Sequence, residues 1–127
     1  MASTTFSGPV TSTNGFIGAL TGNVTGNVTG VTTESIQSLS GAGAVNVTTG
    51  MTSLTTTGAS QALTLADGAA GQVKIITHTV DGGSAILTPT TKIGFSTITF
   101  TNVGDAVTLV YTAAGWAVVG SKGVTIA

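Results

Sequence analysis

Between Gln72 and Ile126 the chain runs as short segments that alternate large and small side chains, each closed by turn residues. Ala106 to Thr112 puts Val107, Leu109 and Tyr111 on one face and Ala106, Thr108, Val110 and Thr112 on the other. A period of two is that of a β-strand, not of a helix. The same reading gives strands over Gln72–Val80, Ser84–Thr88, Phe95–Thr101, Trp116–Val119 and Val124–Ile126. Asp81-Gly-Gly83 reads as a tight hairpin turn, because consecutive glycines accept positive φ. Upstream, Val45–Val47, Met51–Leu54 and Gln61–Leu65 are also strand-like, the last closed by a turn at Ala66–Gly71. Strands recurring about every 8–12 residues predict an all-β domain, an antiparallel sandwich or barrel-like body.

Composition bears on what surrounds those strands. Only 6% of the residues are charged, there is no arginine, and the formal net charge is −1. Ordinary domains carry about 25% charged residues. Disorder is excluded all the same, since disordered chains combine low hydrophobicity with high net charge and this chain has a mean hydropathy of +0.52. A near-neutral chain lacks the surface that keeps a monomer soluble. The second face of the Ala106–Thr112 segment, with Ala117 and Val119 beyond it, is small and uncharged where a solvent face would carry Lys or Glu. Another subunit is the expected cover. Three lysines form a poor electrostatic footprint for nucleic acid, and no apolar run approaches the roughly 20 residues of a membrane span. Neither partner is expected, and the first residues lack the basic and apolar regions of a signal peptide.

The N-terminal part is different. Gly18-Ala-Leu-Thr21, Gly22-Asn-Val-Thr25 and Gly26-Asn-Val-Thr29 repeat with a four-residue period that suits neither a sustained strand nor a helix. A flexible linker, a stack of short strands in a solenoid or intertwined fibre, and an extended arm ordered on a partner all remain open. Even spacing of Leu20, Val24 and Val28 favours a packed role over a linker. The composition changes near residue 58, beyond which lie Phe95, Phe100, Tyr111 and Trp116 and all charges except Glu34. Two regions are therefore expected: residues 1–57 as a Gly/Thr-rich arm, and residues 58–127 as the compact β-domain.

Little in the sequence carries chemistry. His78 is the only histidine, and Ser84 and Asp81 would nominally complete a nucleophilic triplet around it. Any serine-rich chain offers such a set, so a paired strand histidine is the expectation, and no enzyme activity is expected. One histidine, no cysteine and scattered acids match no metal-ligand spacing, and no cofactor is expected. Asn23-Val-Thr25, Asn27-Val-Thr29 and Asn46-Val-Thr48 are formal glycosylation acceptors, the first two being by-products of the repeat. Trp116 could offer a sugar-stacking ring, but its alternation with Val118 points inward.

The N-terminal Met1-Ala-Ser-Thr-Thr-Phe-Ser-Gly-Pro-Val10, with Asn14-Gly-Phe-Ile-Gly18 and the Gly-Asn-Val-Thr repeat, resembles small virion proteins of tailed bacteriophages. Leu63 to Gln72, Thr97-Ile-Thr-Phe100, Asp105-Ala-Val-Thr-Leu109 and Trp116-Ala-Val-Val-Gly120 are similar to the β-domains of their head-decoration (cement) and fibre proteins. The resemblance implies a homotrimer on the outer capsid surface of the virion, locking neighbouring major capsid proteins together. A head or tail fibre component is the alternative. Phe6, Phe16, Ile17, Leu20, Val24 and Val28 are the expected capsid or subunit contacts, as the apolar anchors of an otherwise Thr/Gly segment.

Overall fold

A computed structural model of the protein describes Ser7, Thr13 and residues 27–127. Its compact unit runs from Thr32 to Ala127 and consists of strands without a helix. The strands are β1 (Ile36–Ser40), β2 (Gly43–Val45), β3 (Met51–Thr55), β4 (Gln61–Leu65), β5 (Val73–Val80), β6 (Ala85–Pro89), β7 (Ile98–Phe100), β8 (Ala106–Thr112), β9 (Gly115–Lys122) and β10 (Thr125–Ile126). They form two five-stranded sheets, ordered β1-β3-β5-β8-β9 and β10-β7-β6-β4-β2.

The chain visits the two sheets alternately through β6. In the first sheet β1, β3 and β5 are parallel neighbours, and in the second β2, β4 and β6 are. Three coils thus stack one strand above the next in each sheet, as in a solenoid. The chain then reverses: β7 and β10 close the second sheet antiparallel, and the β8–β9 hairpin closes the first. The all-β class is as the sequence predicts. The antiparallel expectation is corrected for the first half of each sheet, which is parallel. Asp81-Gly-Gly83 is no hairpin turn, because it carries the chain from β5 in one sheet to β6 in the other. Nor does the sandwich begin after residue 57, since β1, β2 and β3 already belong to it.

Stacking works because side chains match across coils. Inward rows of the second sheet run Gly43, Leu63, Leu87, Ile98 and Val45, Leu65, Pro89. Those of the first run Gln37, Thr52, Ile76, Val107 and Leu39, Leu54, His78. One core joins both sheets, with Leu54, Ile76, Val107, Leu109 and Trp116 facing Val45, Leu63, Leu65, Leu87, Ile98 and Phe100. The small residues of the early coils suffice because each coil shares its core with the next.

The corners stack as well. Thr56 Oγ1 accepts the Gly82 N–H at 2.9 Å and donates to the Gly83 carbonyl at 2.8 Å, joining the β3–β4 corner to the β5–β6 corner. Gly83 has φ +141°, and a Cβ there would lie 2.5 Å from the backbone of Gly58. Only glycine permits that approach.

Candidate interaction surface

Two kinds of place could carry function, the buried polar groups and the outward faces of the sheets. Each is built from strand alternation.

Alternation sends Lys74, Ile76 and His78 of β5 inward. His78 is fully buried, and its Nε2 lies 3.0 Å from Thr56 Oγ1. The Thr56 hydroxyl proton is already committed to Gly83 O, so His78 must donate through Nε2–H. His78 Nδ1 is then a buried acceptor without a partner. The ring also stands edge-on to Phe100 across the sheets, at 6.5 Å between centroids. Its nominal triplet is not assembled: Asp81 Oδ1 accepts the Gly83 N–H and Ser84 Oγ accepts the Ser60 N–H. Asp105 is buried too. Burial pushes its carboxyl up, but the N–H groups of Thr101 and Asn102, with the charge of Lys122, more than offset that and hold it below the usual value. Among the described residues no group of three His, Cys, Asp or Glu is placed to hold a metal ion.

Lys74 is the polar group that sequence reasoning missed. The alternation of Val73, Ile75 and Thr77 with Lys74, Ile76 and His78 reads equally well in either phase, and charge argues for placing lysine outside. The fold places it inside. Its Nζ donates to Thr49 O at 2.8 Å, Thr49 Oγ1 at 3.0 Å, Met51 O at 3.4 Å and Asn46 Oδ1 at 3.5 Å. Burial, with no carboxylate to compensate, lowers its pKa to about 8.

Trp116 is fully buried, donates Nε1–H to Ala66 O at 2.9 Å and meets Tyr111 edge-to-face at 5.1 Å. A Cβ on Gly68 would touch its ring at 2.9 Å. The loop from Ala66 therefore covers the indole, which offers no open stacking face.

The outward faces have an unusual chemistry. Of all strand residues only Lys74 and Lys122 are charged; the first points inward, and the second ends β9. On the first sheet, Ile36, Met51, Ile75, Thr108 and Gly120 form one outward row across all five strands. Val73, Val110 and Ala117 form a second beside it. The next row is hydroxyl-rich: Ser38, Ser53, Thr77 and Ala106, ending at Lys122. Ile36, Val73 and Val119 are 58%, 46% and 61% exposed. At the apolar end a groove of about 380 Å³ lies between Glu34, Gly50, Val73 and Ile75. The second sheet shows Ala44, Thr64 and Thr88 in one outward row and Ala62, Ile86, Thr99 and Thr125 in the other. The remaining charges among the described residues, Glu34, Asp67, Asp81, Lys92 and Asp105, sit in corners and connections.

Of the six contact residues expected from sequence, Val28 is described, and it is 62% exposed. Phe6, Phe16, Ile17, Leu20 and Val24 lie outside the described residues. No family model matches the chain, and no curated protein is significantly similar to it.

Proposed function

We propose that the chain is a structural virion protein, a capsid decoration (cement) protein of a tailed bacteriophage. It binds the outer capsid surface as a homotrimer and stabilises contacts between major capsid proteins. One observation carries the reading: both sheets turn outward faces that are free of charge up to the last residue of β9. Exposed sheets are normally guarded by charge against pairing and association. Faces of valine, isoleucine, methionine and threonine suit burial against other subunits, through many weak contacts repeated over a lattice. The resemblance of the N-terminal segment and of the Leu63–Gln72 stretch to virion proteins points the same way. A fibre component is the second reading, favoured by the in-register stacking of three parallel coils, a unit that lengthens by repetition.

Virion stoichiometry separates the two. In stained gels of purified particles of the encoding phage, the chain should approach the major capsid protein in copy number. A handful of copies would move the assignment to the fibre, and absence from the particle would overturn both. Sedimentation of the purified chain at micromolar concentration should give a trimer. A monodisperse monomer would remove the self-assembly part of the proposal.

A further inference from the structure

The cluster around Lys74 has more order than a buried cation needs. Asn46 Oδ1 accepts the N–H of Thr49 at 3.0 Å, the N–H of Thr48 at 3.2 Å and faces Thr49 Oγ1 at 2.9 Å. Two backbone donors fix which way the amide points. They also draw electron density from its carbonyl, as donors around a reacting carbonyl oxygen do. Against this polarised amide lies the amine of Lys74, 3.5 Å from Oδ1. Its other partners are the neutral oxygens Thr49 O, Thr49 Oγ1 and Met51 O. The chain has no cysteine, so no disulfide can staple it.

We infer that Lys74 and Asn46 join in an intramolecular isopeptide bond with loss of ammonia. The lone pair of the unprotonated amine attacks Asn46 Cγ, and the carbonyl electrons move onto Oδ1, where the Thr48 and Thr49 N–H groups hold the negative charge. The carbonyl re-forms as the Cγ–Nδ2 bond breaks. The proton that Nζ loses goes to Nδ2, which leaves as ammonia. No oxidant, metal or co-reactant enters the balance. Burial supplies the free amine, since a lysine lowered to about pKa 8 has an appreciable neutral fraction near pH 7. Thr49 Oγ1 is bonded to both reacting side chains and keeps them side by side. The product ties the β2–β3 corner to β5 across 28 residues, giving a cysteine-free chain the kind of constraint a disulfide supplies.

Mass spectrometry of the intact purified chain tests this directly. The expected mass is that of the sequence less one ammonia. A lysine-specific protease should fail to cut after Lys74 and leave residues 1–92 as one internally linked piece. Asn46→Ala should restore cleavage at the retained Lys74, and Lys74→Arg should restore the full sequence mass. The unmodified chain decides the matter even if neither variant folds. A full sequence mass together with ready cleavage after Lys74 would overturn the inference.

Discussion

Trp116 and Asp105 show how single side chains hold this sandwich closed. Trp116 fills the end of the core beneath the β4–β5 loop, and its N–H satisfies Ala66 O. Truncating a buried tryptophan to alanine typically costs about 3–5 kcal/mol, a large share of the stability of a domain this small. Trp116→Ala should therefore shift the urea midpoint far down, or leave the chain unfolded, while Trp116→Phe should lose less. Asp105 acts through charge. Its carboxylate receives the N–H groups of Thr101 and Asn102 and so fixes the turn into β8. A folded value below the ordinary 3.8 means that the unfolded chain binds this proton more readily. The stabilisation is fully present above that value and is lost as pH falls through the lower, folded one. Thermal melting followed from pH 5 downward should show stability falling below about pH 4. The fall should be shallower in Asp105→Asn, and an unchanged slope would remove Asp105 from this role.

Among the elements, the corners between coils matter as much as the strands. Gly83 and Gly71 make a controlled pair. Both have positive φ, but a Cβ at Gly83 meets the Gly58 backbone, whereas one at Gly71 meets nothing within 4 Å. Gly71→Ala should cost only the left-handed backbone term, about 1–2 kcal/mol. Gly83→Ala should cost clearly more, because two stacked corners must separate; equal losses in denaturant titrations would contradict corner stacking. The same corners explain what the sequence made legible. Strand positions followed from alternation, a local property: Gln61–Leu65 and Ala106–Thr112 fall where period two places them. The inward Trp116 was readable for the same reason. Whether β5 pairs with its sequence neighbour or with a strand one coil away is not local. Asp81-Gly-Gly83 satisfies the backbone demands of a hairpin and of an inter-sheet corner equally. The division at residue 58 misled because the first coils look too poor in large side chains to form a core, and they borrow one by stacking. Lys74 was hidden because burying it depends on acceptors from the β2–β3 corner, 25 residues away at Thr49. The uncharged second face of β8 was legible, and its continuation from Ile36 to Ala117 emerged only with the strand order.

At the scale of the whole molecule, the sandwich and the segment ahead of it are different parts of the chain, with β1 starting at Ile36. The strands before residue 58 are needed to complete both sheets, and under the proposed function attachment belongs to the Gly/Thr-rich segment ahead of them. Residues 27–35 contain no strand and are exposed throughout, and β1 begins only at Ile36. A deletion of residues 2–30 therefore spares every strand of the sandwich. It also spares Ser35, whose carbonyl receives the Met51 N–H at 3.2 Å. The truncated chain should remain soluble, keep its β-sheet circular dichroism and melt within a few degrees of the parent. It should no longer decorate capsids. A segment that orders on its partner loses conformational entropy on binding, so each copy binds weakly alone. Three copies on one trimer would bind together, the second and third at high effective concentration. Partial deletions that remove one Gly-Asn-Val-Thr unit at a time should consequently weaken binding steeply rather than in proportion to length. Mixing each truncated form with undecorated particles and pelleting them measures this. Full occupancy by the shortest form would assign attachment to the outward faces of the sandwich itself, with Met51, Ile75 and Val110 as the residues to charge next.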